Sequence, residues 1–481
     1  MIEKITALEK LSRQLEPSPE QRETVRQQVL AYTEAFLNAI YDLPAYVMTE
    51  EKGQRLYDFP PAEEPMDIQQ VLRLLETEVD RPGLNPASGG HLGYIPGGGI
   101  YYSALADYIA DVTNRYAGIF FAGPGAVRME NLLLKWMAEL VGYPAETSAG
   151  NLTSGGSIAN LIGIVTAREA HDLKAKDIPR AVIYLTEQVH HSVDKAIRIA
   201  GLGEAVRRYV PVDARYRMRP EVLEATITED RRQGLRPFLV IASAGTTDTG
   251  AVDPLGAIGE IAETYDLWYH IDGAYGAFFV LCEEGKKILR GMETSHSIVM
   301  DPHKGLFLPY GSGAVVVKDA SAMLKAHHYQ ANYMQDTALA QDELSPADLS
   351  PELTKHFRGL RLWLPLKLLG LRPFRAAVEE KLWLARYFHA RLQEIEGFEV
   401  GPYPDLSVVT YRYIPRRGNP DDFNRRLVQE VQKDGRVFIS STRLQGKFVL
   451  RLAVLAFRTH LDTIELALEI LEKTARRLEN E

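Results

Sequence analysis

A lysine does covalent chemistry only where the fold can hold its amine against a substrate, and Lys304 occupies such a place. The run Ser297–Asp301 is apolar and reads as a buried strand, and Asp301-Pro302-His303-Lys304-Gly305 follows it. Open α/β sheets bind their ligands outside the carboxyl ends of strands. An amine held there condenses with carbonyl compounds. Alone, a lysine after a strand is an ordinary solvated cation, so its neighbours decide. In His270-Ile271-Asp272-Gly273-Ala274-Tyr275-Gly276 a second apolar run ends in an acid. A carboxylate at the end of a buried strand costs solvation unless it meets a cation or hydrogen-bond donors. A protonated pyridine nitrogen is such a cation; capping a turn is the plainer role.

Three further strand ends carry polar groups. Leu152-Thr153-Ser154-Gly155-Gly156-Ser157-Ile158-Ala159-Asn160 is a Gly-rich turn running into a helix, where free N–H groups and a serine hydroxyl make an anion site. It lacks the Gly-Lys-Ser/Thr ending of a P-loop and does not fit the dinucleotide fingerprint. Gln188-Val189-His190-His191-Ser192-Val193 follows the strand-like run 181–186 and offers a ring that can stack on a flat cofactor, or a histidine satisfied at a helix start. Ser243-Ala244-Gly245-Thr246-Thr247-Asp248-Thr249-Gly250 is rich in hydroxyls, which turn chemistry also explains. Together they supply a lysine, an acid, an anion cradle, a planar stacker and hydroxyl donors at successive ends of one sheet. Pyridoxal 5′-phosphate (PLP) asks a protein for this set, with a Schiff base on Lys304. Metal chemistry fits poorly, because His-Glu-x-x-His is absent and the 12 histidines show no ligand spacing. A serine hydrolase is excluded by the lack of a Gly-x-Ser-x-Gly elbow.

The elements that must position these groups are legible in outline. Apolar runs at 181–186, 237–243, 267–272, 297–301 and 313–318 read as parallel strands buried on both faces. Helical stretches at 126–141, 157–170, 191–200, 220–233 and 255–265 surround or separate them, which predicts an α/β fold with a mostly parallel central sheet. Helices at 19–41, entered through Ser18-Pro19, and at 66–79 make an N-terminal helical segment, 1–89. The large domain spans 90–375. A small C-terminal α+β domain, 376–481, begins within a helix at 374–395 and continues with strands near 398–415, a helix at 420–434, a hairpin within 436–457 and a helix at 461–478.

Composition narrows the class. With 55 basic and 64 acidic side chains the net charge is −9, which argues against a nucleic-acid surface. One cysteine, Cys282, rules out an internal disulfide framework and suits a reducing cytoplasm. The opening MIEKITALEKLSRQ is charged from its third residue, so no secretory signal is expected. The apolar stretch Leu360–Leu371 carries Arg and Lys and is too short to span a bilayer, so no membrane association is expected.

In order and spacing, these motifs resemble the group II PLP-dependent amino-acid decarboxylases, which include aromatic-L-amino-acid decarboxylase and glutamate decarboxylase. The resemblance runs from about Gly90 to Trp363. It implies PLP fold type I (aspartate aminotransferase-like) and a homodimer with active sites at the subunit interface. By position it implies that Lys304 carries the cofactor with His303 beside it. Asp272 pairs with the pyridine nitrogen, with Ala274 under the ring. His190, rather than His191, stacks on the ring, while Gly156 and Ser157 bind phosphate. Thr247 lies near cofactor and substrate carboxylate, and Tyr94-Ile95-Pro96 resembles a substrate-pocket segment, through Tyr94 and Pro96. Gln330–Ser350 is a polar stretch of lid character whose Tyr333 matches the tyrosine that returns a proton to the α-carbon after carbon dioxide leaves, with His190 assisting. Relatives with phenylalanine there tend to be oxidative aldehyde synthases.

Departures from the family pattern are Asp301 for a common Asn, Gly305 for Trp, and Gly118 near a Phe position. Asp301 near a phosphate would repel it unless its side chain turns away. The implied activity is decarboxylation of an L-amino acid, aromatic favoured. The competing readings are an oxidative aldehyde synthase, an acidic-amino-acid decarboxylase, an aminotransferase, and a non-catalytic PLP-fold binding protein, which intact Lys304, Asp272, His190 and Tyr333 oppose.

Overall fold

A computed structural model describes residues 1–95, 97–328 and 343–481. The chain opens with helices α1 (Ile2–Ser12), α2 (Pro19–Ala39) and α3 (Ile68–Leu75), none of which buries a residue. Ser18 caps α2 as its sequence suggests: its hydroxyl accepts from Gln21 N, and the Gln21 side chain accepts from Ser18 N at 2.8 Å. Strands β1 (Tyr46–Val47) and β2 (Gly83–Leu84) form a short antiparallel pair. Helices α4 (Tyr101–Thr113) and α5 (Pro124–Val141) lead into the main sheet.

That sheet has seven strands: β3 (Ala149–Thr153), β4 (Ala181–Leu185), β5 (Val206–Tyr209), β6 (Arg236–Ser243), β7 (Trp268–Asp272), β8 (Ser297–Met300) and β9 (Gly313–Val317). Their order across the sheet is β3-β9-β8-β7-β6-β4-β5. Between them run α6 (Gly156–Ala170), α7 (His191–Ile199), α8 (Pro220–Arg232), α9 (Leu255–Thr264), α10 (Glu283–Ile288) and α11 (Pro302–Gly305), and α12 (Ala320–His327) follows β9. Strand alternation divides the core between two faces. Val240, Ala242, Ile298 and Val316 pack with residues of α5, α8 and α9. Leu239, Ile241, Val299 and Val315 pack with residues of α6, α7 and α12.

One strand runs against the sequence reading. β9 is antiparallel to both its neighbours, β3 and β8. A parallel return needs a crossover long enough to retrace a strand's length, usually through a helix. Between β8 and β9 the chain has only the single-turn α11, so it re-enters from the same edge. A strand buried on both faces is apolar at every position whichever way it runs, so its composition carried no direction.

Past residue 343 come α13 (Arg358–Leu369) and α14 (Leu371–Gln393), broken by Gly370 at φ 66°. Then follow β10 (Phe398–Val400), β11 (Val408–Tyr413), α15 (Pro420–Asp434), β12 (Ser440–Leu444), β13 (Lys447–Ala453) and α16 (Leu461–Asn480). The four strands form an antiparallel sheet ordered β10-β11-β13-β12, with its own apolar core. The stretch 91–93 joins that sheet: Leu92 N donates to Phe438 O, Ala453 N donates to Leu92 O, each at 2.8 Å, and Leu92 is buried in the same core.

Candidate active site

Because β3, β4, β6, β7 and β8 all point one way, their carboxyl ends share one edge of the sheet. A cavity of about 640 Å³ lies there. Tyr94, Gly156, Ser157, His190, Thr247, Asp272, Ala274, His303 and Lys304 all line it. Pro96 and Tyr333 lie outside the described residues.

Lys304 sits on α11, one turn beyond β8, with Nζ 3.0 Å from Asp301 Oδ2. Burial alone would push its ammonium down, but the Asp301 and Asp272 carboxylates outweigh that and hold it above the ordinary lysine value. His303 is fixed by its Nδ1, which donates to Ser312 O at 2.5 Å; burial lowers its pKa and favours the neutral ring.

Asp272 closes β7, in register with Ser243 of β6 and Val299 of β8. Its Oδ1 accepts from Ala274 N at 3.2 Å, and its Oδ2 from Asn160 Nδ2 at 3.2 Å. Behind it runs a chain of buried groups. Trp268 Nε1 donates to Ser297 Oγ at 2.8 Å; Ser297 Oγ and His270 Nδ1 are 2.7 Å apart; His270 Nε2 and Asn160 Oδ1 are 2.9 Å apart. Burial pushes His270 down to about 4, so it is neutral. Since the Asn160 amide donates to Asp272, its oxygen takes the His270 Nε2–H, and His270 Nδ1 accepts from Ser297. Every donor in the chain therefore points toward the carboxylate. A side branch reaches His190: Asn160 Nδ2 donates to Ser192 Oγ at 3.4 Å, and Ser192 Oγ and N lie 2.8 and 3.3 Å from His190 Nδ1. With Nδ1 accepting, the His190 Nε2–H is the free donor of that ring. Burial outweighs the Asp272 charge and lowers the His190 pKa. His191 is exposed, its ring centroid 4.0 Å from that of His190.

The Gly-rich turn opens α6 at Gly156, whose N–H donates to Asp301 Oδ2 at 3.1 Å. A Cβ on Gly156 would lie 2.9 Å from that oxygen and 3.2 Å from Ala274 Cβ, so only glycine fits between them. Ser157 is exposed on the first turn. In the hydroxyl-rich loop both threonines line the cavity, and Thr246 is buried with its Oγ1 2.7 Å from Thr249 Oγ1. Arg451 of β13 braces this wall. It donates to Asp248 O at 2.9 Å, Gly93 O at 3.3 Å, Ser440 Oγ at 2.9 Å and also Thr247 O.

The three departures resolve differently. Asp301 does not turn away; it is 1% exposed and aims at Lys304 and Gly156. Gly305 opens no space, since a Cβ there would lie 2.6 Å from Phe278 Cβ. Gly118 is equally closed, its Cβ position 2.1 Å from Leu353 O. Sequence reasoning gave no role to Asn160, Ser192, His270 or Tyr310, all close to the site. The period of a strand puts His270 and Asp272 on one face, and α6 carries Asn160 one turn past Ser157; that spacing was the available signal.

An amine, a clamped carboxylate, a helix N-terminus and a flat ring around one cavity form the donor set that PLP requires, on a sheet of fold type I. The chain belongs to the pyridoxal-dependent decarboxylase family, whose conserved domain matches residues 62–414. PLP is its cofactor, and decarboxylation of an amino acid is its reaction. The chain is 34% identical over 402 residues to an aromatic-L-amino-acid decarboxylase of Bacillus atrophaeus, covering 82% of this chain and 81% of that one. It is 28% identical to a phenylacetaldehyde synthase of Arabidopsis thaliana, covering 92% and 93%. In fold it is similar to the crystal structure of Oryza sativa TDC with PLP and tryptamine, at a TM-score of 0.90, 24% identity and coverage of 97% and 99%.

Proposed function

We propose that the protein converts an aromatic L-amino acid to the corresponding amine and carbon dioxide, taking up one proton per turnover. The observation that carries this reading is the convergence of Lys304, Asp272 and His190 on one cavity beside the turn at Gly156 and Ser157. When bound, PLP would supply an electron-accepting ring. Asp272, its oxygens held by Ala274 N and Asn160, keeps the pyridine nitrogen protonated. Gly156 and Ser157 hold the phosphate at the start of α6, and His303 lies beside Lys304. His190 and Ala274, which both line the cavity, would hold the cofactor's ring between them. Thr247 meets the substrate carboxylate. Tyr94 and Pro96 border the substrate's side chain, and Tyr333, assisted by His190, delivers the proton to the α-carbon. The division into 1–89, 90–375 and 376–481 is part of the same reading.

A cytoplasmic homodimer with sites at the subunit interface completes it. Supporting the dimer, no residue of α1 to α3 is buried, and Ile2, Ile5, Leu8 and Leu11 of α1 stay exposed. Supporting the location, Cys282 is free and buried, as a reducing compartment allows. Among the described residues no helix is long and apolar enough to cross a membrane.

The test is an absorbance spectrum of the protein with PLP, then a panel of L-Trp, L-Tyr, L-DOPA, L-Phe, L-Glu and L-Asp read for carbon dioxide, amine, aldehyde and ammonia. Carbon dioxide and amine from an aromatic member are expected. Turnover confined to L-Glu or L-Asp refutes the aromatic assignment; aldehyde with ammonia as the main products gives the oxidative reading instead.

A further inference from the structure

Asp301 sits where the incoming cofactor needs donors free. Its Oδ2 takes the Gly156 N–H at 3.1 Å, the first backbone donor of α6, and holds the Lys304 ammonium at 3.0 Å. The first of these groups belongs to the phosphate cradle and the second must lose a proton before it can attack an aldehyde. The carboxylate therefore competes for two groups that a phosphorylated aldehyde would use. It is also locked. The residue is 1% exposed, and its Oδ1 is buried without a hydrogen-bond partner. Gly313 crowds that oxygen so closely that a Cβ there would lie 2.7 Å from it. Burial leaves that carboxylate little room to swing out toward solvent, and two like charges at close range in a partly dry site repel strongly.

We propose that Asp301 is a positioning residue that governs cofactor loading: its carboxylate, bonded to Lys304 and to the α6 N-terminus, competes with the cofactor's phosphate for that N-terminus, and its fixed negative charge selectively weakens retention of the phosphate. The proposal rests on the assignment of the Gly156 turn as the phosphate cradle. Its consequence is a holoenzyme that exchanges cofactor with the free pool, where a neutral side chain at this position would hold it firmly.

The experiment compares wild-type protein, freed of cofactor, with Asp301→Asn, and with Asp301→Ser should the first variant not fold. Dissociation constants are measured for PLP, for pyridoxal, which has the aldehyde but no phosphate, and for pyridoxine 5′-phosphate, which has the phosphate but no aldehyde. Easing proton loss from Lys304 helps both aldehydes alike, whereas removing the charge helps only the phosphorylated probes. The substitution is expected to tighten PLP relative to pyridoxal by about tenfold or more, and to tighten pyridoxine 5′-phosphate similarly. An unchanged ratio of PLP to pyridoxal affinity, or weaker binding of both phosphorylated probes, overturns the proposal. If no chain gives a borohydride-sensitive visible band with either aldehyde, the cofactor-site assignment itself has failed, which is a different result from an unchanged ratio.

Discussion

The buried chain behind Asp272 makes a quantitative demand. Asn160 is 1% exposed and joins His270 to the carboxylate. Asn160→Ala leaves the His270 Nε2–H without an acceptor, in a residue with no solvent access, and such an orphaned donor costs about 1–3 kcal/mol. His270→Phe keeps the ring volume but orphans Asn160 Oδ1, at a similar cost of about 1–3 kcal/mol. In the double variant neither orphan exists, so it should be less destabilised than the sum of the singles by about 2 kcal/mol or more. Urea denaturation of the four cofactor-free proteins at pH 7.5 measures this coupling. Both single variants should also bind PLP more weakly, because Asp272 Oδ2 has lost its clamp or the clamp has lost its own support. Additivity within about 0.5 kcal/mol would refute the directed chain and reduce Asn160 and His270 to independent core residues.

Three further outcomes are expected. Lys304→Ala should abolish both the borohydride-sensitive absorbance and all turnover; measurable decarboxylation would defeat the site assignment. Tyr333→Phe should retain cofactor and shift products from amine toward aldehyde and ammonia, and amine at the wild-type rate would remove Tyr333 from the reaction. Acid should destabilise the fold through buried histidines: burial holds His91 and His270 down at about 4, whereas in the unfolded chain they titrate near 6.5. The unfolded state then binds the extra protons, so this stabilisation is complete above about pH 6.5 and lost as pH falls toward 4. It amounts to about 2 kcal/mol per histidine by pH 5. Urea midpoints at pH 7.5 and 5 check it, and His91→Gln should shrink the difference.

What the sequence disclosed follows from what burial does to composition. Strands β4, β6, β7 and β8 are buried along most or all of their length, so they appear as apolar runs, and the polar residues at their ends stand out. β5 escaped notice because it lies at the sheet's edge and alternates, with Arg207 and Tyr209 facing outward. β3 was hidden by Gly150, Asn151 and Thr153, which are polar or small yet buried. Asn151 is satisfied by Pro346 O and the Lys355 ammonium, partners roughly two hundred residues away. Gly156, Ser157, His190, Thr247, Asp272, Ala274, His303 and Lys304 were legible because each closes or closely follows a strand, whereas Asn160 lies inside α6 and His270 within β7, and the two meet across 110 residues. The inward aim of Asp301 was not legible either, for it depends on Gly313 and Gly156 closing around it.

The bracing by Arg451 bears on how the enzyme is made. One side chain near the carboxyl end of the chain holds the backbone of Gly93, Thr247 and Asp248 together. As the ribosome emits the chain, the Gly-rich turn, the aspartate and the lysine all emerge well before the arginine that steadies the opposite wall. The wall formed by Thr247 and Asp248 is therefore braced only once β13 has emerged and paired between β11 and β12. Arg451→Ala should thus leave the sheets in place and weaken retention of PLP, which a dissociation constant measures.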